Sequence, residues 1–166
     1  MTRARSLADK AIGQRADQWY LNADHTGDAT ITAWARGSST TGGGSIGSGL
    51  TESSGIFTFP STGIWNIKTM FYINATPTNG DWMFINIQTS NDNFSTTNAS
   101  SVGSANQVEV QGWQGQIHHD FLFDVTNTSN DKVRFASSSF GTGNKIVGSV
   151  SGIMYTWINF IRLGDT

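Results

Sequence analysis

The run IWNIKTMFYINA, Ile64 to Ala75, alternates with a period of two: Trp65, Ile67, Phe71 and Ile73 fall on one side, Asn66, Lys68 and Asn74 on the other. Successive side chains of a strand point to opposite faces, whereas a helix repeats its apolar positions every 3.6 residues. A strand with one buried and one wet face therefore stands here. Just upstream, Ile56 to Phe59 reads as a shorter strand that Pro60 stops, because proline has no amide hydrogen to give a ladder. Ser61, Thr62 and Gly63 then turn the chain into the long strand.

The same period extends in both directions. Upstream, Ala29 to Arg36 reads as a strand with Ile31 on one face and Thr30 and Thr32 on the other, preceded by an aromatic strand near Trp19. A glycine-rich loop is expected from Gly37 through Gly42, Gly43 and Gly44. Downstream, Pro77 to Asp81 is a turn and Trp82 to Thr89 a strand, followed by a long polar surface loop, Ser90 to Asn106. Val108 to Val110 is a short strand candidate. Ile117 to Thr126 sets His119, Phe121, Phe123 and Val125 against Asp120 and Asp124. Lys132 to Ala136 and a long aromatic strand from Gly152 to Leu163 complete the chain. About eight to ten strands bounded by turn residues predict an all-β antiparallel sandwich.

Composition agrees. Charged residues make up 13% of the 166, and Glu52 and Glu109 are the only glutamates; surface helices ordinarily carry far more. Six tryptophans and ten phenylalanines supply a core, so disorder is not expected. Cysteine is absent, which removes disulfides, thiolate metal sites and cysteine nucleophiles together. No window nears the roughly 18 apolar residues of a membrane helix, and no apolar signal core opens the chain, so no membrane partner is expected. A net charge of −2 gives no ground for a nucleic-acid partner.

Residues 1–15 form a basic N-terminal arm distinct from the domain at 16–166. Arg3, Arg5, Lys10 and Arg15 are four of the ten basic residues, opposed there only by Asp9. Ser6 is placed to cap a short helix from Leu7 to Ile12 ended by Gly13; a frayed, solvated tail is the alternative.

The longer segment GSGLTESSGIFTFPSTGIWNIKTMFYINA, Gly47 to Ala75, resembles one shared by trimeric jelly rolls of the tumour-necrosis-factor and complement-globular-head type. Its core is Gly55-Ile56-Phe57-Thr58-Phe59-Pro60 and then Gly63-Ile64-Trp65, with Trp65 plugging the end of the sandwich. It is most similar to versions in virion proteins of tailed bacteriophages, as is the opening TRARSLADKA, and the likeness runs from about Thr2 to Leu163. The resemblance implies an antiparallel jelly roll, a homotrimer and no cofactor. The collagen-like stalk, cysteines and signal peptide of secreted relatives are missing, which favours the phage version. Such a protein is expected on the outer capsid surface as a decoration, or cement, protein. The major capsid protein would be its partner, gripped by Arg3, Arg5, Lys10 and Arg15. Phe57, Phe59, Trp65, Phe71, Phe121, Phe123, Tyr155 and Trp157 are expected in core or subunit packing. The alternative is a tail-fibre head that recognises host glycans through the Ser90–Asn106 loop or Trp113.

Residues that could carry chemistry have simpler explanations. His118 and Asp120 share a face, but no second ligand pair at metal spacing accompanies them. Asp24, His25 and Asp28 suit a turn and fall short of a calcium loop. No Gly-x-Ser-x-Gly elbow, phosphate cradle or opposed carboxylate pair is recognisable. The expectation is a non-enzyme without catalytic, metal or cofactor residues.

Overall fold

A computed structural model of the chain describes residues 13–75, 81–96, 101–108, 112 and 114–166, with only the backbone given at 81–82 and 101–108. Arg3, Arg5, Lys10, the helix expected at Leu7 to Ile12 and Trp113 lie outside the described residues.

The elements run β1 Arg15–Leu21, β2 His25–Thr26, β3 Trp34–Arg36, β4 Ser45–Ile46, β5 Thr51–Ser53, β6 Ile56–Thr58, β7 Gly63–Asn74, β8 Asp81–Ser90, β9 Ser101–Val108, β10 Gln114–Val125, β11 Lys132–Ser138, β12 Lys145–Ile146 and β13 Trp157–Gly164. They build two antiparallel sheets. Sheet A places β7 between β10 and β13, with β1 beyond β13, β3 and β4 beyond β1, and β12 and β2 at the far end of β7. Sheet B runs β5-β6-β11-β8-β9. From β6 onward the chain passes from B to A at β7, back to B at β8 and β9, to A at β10, to B at β11, and to A for β12 and β13. Repeated crossing between two facing antiparallel sheets is the jelly-roll topology.

The sheets pack through their inward positions. β7 buries every second residue from Gly63 to Ile73, with Trp65, Ile67, Phe71 and Ile73 at zero exposure. Phe57 sits at the centre, its ring 5.3 Å from Trp19, 5.9 Å from Trp34 and Phe135, and 5.1 Å from Phe160. Trp65, near the start of β7, is fully buried: its ring lies 5.2 Å from Phe59, and its Nε1 donates to the Ser61 carbonyl at 3.2 Å. Phe121 and Phe123 pack against this core while keeping part of their surface outside.

Two glycines explain the spacing of the motif. Ser54 and Gly55 both take positive φ (52° and 85°) between the paired Ser53 and Ile56, as a two-residue hairpin turn demands. Gly63 has φ 127°, and a Cβ there would meet Arg162 Nε at 2.8 Å and press on the Gly164 carbonyl.

Three expectations change. Ala29 to Arg36 is not one strand: Thr30 bridges Ala136 of β11 and the Ile31 amide bonds the Phe135 carbonyl, while Trp34 to Arg36 pairs with β1. The segment changes sheets, and Ala33 makes the break at φ 62°. The polar stretch Ser90 to Asn106 is not all loop, because Ser101–Val108 is β9, the edge strand of sheet B, paired with β8 from Asp81↔Val108 to Gln88↔Ser101. The last strand begins at Trp157 instead of Gly152. Before it, Val150 and Ile153 pair across a tight turn, with Ser151 and Gly152 both at positive φ. Val108 belongs to β9, and residues 109–110 lie outside the described residues.

Candidate interaction surface

Residues paired across an antiparallel ladder share a face, so the registers of sheet A spell out its outer surface in rows. One row is Tyr20, Trp157, Met70 and His118. The next is Gln18, Asn159, Lys68 and Asp120. The third is Ile46, Ala16, Ile161, Asn66 and Leu122. Above the first row Tyr72 meets Tyr155, their rings 5.3 Å apart, and Tyr72 Oη donates to Gln114 Oε1 at 2.5 Å. The result is an aromatic end, an aliphatic end and a polar belt between. In the belt, Lys68 pairs with Asp120 at 3.1 Å, and Asn66 Nδ2 donates to Asp120 Oδ1.

Among the described residues, much apolar surface on this face has no cover. Ile46 is 57% exposed, Leu122 58% and Leu163 60%, and the aromatics Tyr20, Tyr72, Tyr155 and Trp157 are only half-buried. Leu163 stands out because the β13–β7 register slips between Arg162 and Gly164, leaving it as the bulged residue. Tyr155 and Trp157 are thus on the outer face, whereas Phe57, Phe59, Trp65 and Phe71 are in the core.

The chain enters sheet A at the aliphatic end. Arg15 pairs with Arg162, and Arg162 Nη1 donates to the Gly13 carbonyl at 3.2 Å. Arg15 itself is part of β1 and reaches the Ser48 carbonyl at 3.4 Å. Beside it lies Asp17, a residue passed over in the sequence. The period of β1 sends Asp17 inward with Trp19 and Leu21, and it is 2% exposed. Its Oδ2 accepts from Trp19 Nε1 at 2.9 Å and the Leu50 amide at 2.8 Å, and its Oδ1 faces Arg36 Nε at 3.2 Å in an ion pair. Arg36 Nη2 also donates to the Leu50 carbonyl, and its guanidinium lies 4.9 Å from the Trp19 ring centre. Burial raises the Asp17 carboxyl above the usual carboxylate range, against the lowering pull of Trp19, Arg36 and Leu50. This cluster closes the loop at 37–50 onto β1, and Gly49 leaves the carboxylate its space.

The histidines occupy separate places. His118 is exposed beside Gln116, with Nε2 3.1 Å from Oε1. His119 points inward: Nε2 donates to the Ile85 carbonyl at 3.1 Å, tying sheet A to sheet B, and Nδ1 stands 2.8 Å from Thr69 Oγ1. Burial pushes its imidazole below the usual histidine range. His25 Nε2 lies 2.8 Å from Ser137 Oγ, but that hydroxyl donates to the Gly27 carbonyl at 2.7 Å. The imidazole must therefore donate to the serine, the reverse of what a nucleophilic serine needs. Asp24 bonds Lys145 and the Gly148 amide, and Asp28 accepts from the Phe140 amide, so the two aspartates and His25 do not converge. Among the described residues no group of three or more acidic or histidine side chains could hold a metal.

At one end of the sandwich a polar hollow of about 610 Å³ is lined by Thr89, Ser90, Asn91, Phe123, Asp124, Thr126 and Asp131. Asp131 is 4% exposed and accepts from the Thr126 and Asn127 amides at 2.6 and 2.7 Å, which fixes the hollow's floor. Nearby, Phe94 has φ 56° and holds its ring 4.3 Å from the Arg134 guanidinium.

No family model matches the chain, and no curated protein matches it. Solved structures do. The Eiger TNF of S. frugiperda superposes with a TM-score of 0.67 at 11% identity, over 93% of this chain and 95% of that one. Murine APRIL at pH 5.0 gives 0.66 at 10% identity, over 90% of this chain and 99% of that one. Identities this low speak for architecture alone: the chain has the TNF-like jelly-roll fold.

Proposed function

We propose that this chain is a capsid decoration protein of a tailed bacteriophage, acting as a homotrimer that braces neighbouring shell subunits from outside. The observation that carries self-association is the outer face of sheet A, where Ile46, Leu122, Ile161 and Leu163 expose aliphatic surface at one end and Tyr20, Tyr72, Tyr155 and Trp157 form an aromatic bank at the other, across the polar belt. Exposed apolar surface rimmed by polar residues marks a contact site. The phage and capsid parts of the reading rest on the sequence resemblance at Gly47 to Ala75 and in the opening TRARSLADKA.

The mechanism is multivalent binding. Three copies present three basic arms, each entering its domain beside Arg162 at the aliphatic end of sheet A. Once one arm engages an acidic shell site, the other two bind at high effective concentration, so weak contacts sum to strong attachment. Arg3, Arg5 and Lys10 are the gripping residues; Arg15 begins β1 and anchors the arm's root. No step in this function requires catalysis or a cofactor.

The test is removal of residues 2–12, upstream of β1. Trimers should persist while capsid attachment is lost; attachment at full strength by the truncated protein would refute the arm's role.

A second reading, a fibre-tip head that binds host glycans, draws on the polar hollow at Thr89–Asn91, Phe123, Asp124 and Asp131. Its volume is within the roughly 300–1,000 Å³ of ligand pockets, and it combines an aromatic ring with hydrogen-bonding side chains. Specific glycan-array binding that Asp124→Ala abolishes would favour this reading over decoration.

A further inference from the structure

A threefold ring cannot be closed by one patch meeting itself. Each interface is heterologous, so every subunit must present two different, complementary surfaces. Sheet A offers such a pair at its two edges. At the β10 edge Leu122 projects from the outer face, 58% exposed. At the opposite edge a groove of about 230 Å³ lies between the loop Gly42-Gly43-Gly44 and Ala16, Gln18, Asn159 and Ile161.

The groove is built, not incidental. Its loop is fixed to β1 by the Gln18 amide bonding the Gly44 carbonyl at 3.2 Å and the Gly37 amide bonding the Gln18 carbonyl at 2.7 Å. The buried Asp17 carboxylate, paired with the partly exposed Arg36, holds the following turn through Leu50. Three glycines in succession leave one wall without side chains, and a Cβ at Gly42 or Gly44 would meet nothing within 4 Å. The volume is below the range of ordinary ligand pockets, and its apolar wall includes Ala16 and Ile161. This suits a protruding side chain better than a free small molecule.

The height of the two features along the sheet matches. Leu122 pairs with Asn66, Asn66 with Ile161 and Ile161 with Ala16, so the knob stands level with the apolar wall of the groove, while Gln18, Asn159 and Gly44 line it one row further along. Rotation about an axis along the strands preserves height, and a closed ring needs that; a stagger between knob and groove would generate an open helix instead.

We infer that Leu122 of each copy seats in the Gly42–Gly44 groove of the next, closing the trimer head to tail. This rests on the trimer reading and adds the residues and direction of the contact. The Lys68–Asp120 belt lies one row away, where it sets register against the Gln18 and Asn159 rim of the neighbour.

The test uses the full chain, sized by light scattering and native mass spectrometry, with two variants. Gly44→Trp fills the groove from a position with open space around it, and Leu122→Asp removes the knob from an exposed site. Each alone should be a folded monomer by circular dichroism. Mixed in equal amounts they should form a two-chain species, because one intact knob and one intact groove remain and the ring cannot close. A trimeric Gly44→Trp protein would overturn the contact while leaving the trimer reading standing. A monomeric unmodified protein would overturn the trimer reading itself. Should Gly44→Trp not fold, the outcome passes to Leu122→Asp: a trimer from that variant refutes the knob.

Discussion

Replacing Asp17 with alanine removes an acceptor from the interior and leaves its donors behind. The carboxylate is 2% exposed and serves the Trp19 indole and the Leu50 amide directly. Each buried donor left without a partner costs about 1–3 kcal/mol. The ion pair adds less than a fully buried one, because Arg36 is 42% exposed on its side chain and regains water. Two unpaired donors at about 1–2 kcal/mol each, with little from the ion pair, give a loss of about 3 kcal/mol, at the lower end of the roughly 3–5 found when one partner of a buried pair is removed. In a domain of this size that lowers Tm by about 6–12 °C, at roughly 2–4 °C per kcal/mol. Asp17→Asn keeps one acceptor oxygen and should lose clearly less. Urea unfolding at fixed protein concentration measures both, and amide exchange across residues 37–50 should quicken in the alanine variant alone. A loss below about 1 kcal/mol for Asp17→Ala, or equal losses for the two variants, would refute the view that this carboxylate fastens the loop.

Two other perturbations follow from the core. Phe57→Ala opens a void under four other aromatic rings and should cost about 3–5 kcal/mol, read as a lower urea midpoint with unchanged slope. Stability should also fall on mild acidification: burial lowers the pKa of His25 and His119 in the folded state, so unfolded chains take up protons first. Their contribution is complete above the unfolded histidine value of about 6.5 and declines as pH drops from there toward the folded values. His119→Gln should flatten that part of the Tm–pH profile, and an unchanged profile would remove His119 from the account. Asp17 works in the opposite sense. Its raised pKa favours the folded state as pH falls through the folded value, so it offsets acid loss only in the carboxylate range.

Much of this fold is legible in the sequence where strands carry large side chains on one face. β7 shows its period in Trp65, Ile67, Phe71 and Ile73, and β10 in Ile117, His119 and Val125. The segment from Ser101 to Val108 carries no such signal: it is built of small and polar residues, and its place at a sheet edge rests on backbone hydrogen bonds that any side chain permits. The break at Ala33 was equally silent, because a non-glycine residue at positive φ is set by tertiary contacts and not by local preference. Asp17 was readable in principle. A carboxylate two residues before Trp19 and four before Leu21 shares their inward face, and an inward charge in a strand calls for a partner. The candidate surface was only half legible. Tyr155 and Trp157 were expected in core or subunit packing, yet their position on the outer face depends on registers that the sequence does not state.

The central claim, decoration of a capsid by a trimer, is tested most directly by counting. Quantitative mass spectrometry of purified virions of the phage proposed to carry this chain would give its copy number against the major shell protein. The account predicts a number comparable with that of the shell protein and divisible into trimers. A number far below it would contradict the account and place the chain in a tail or fibre.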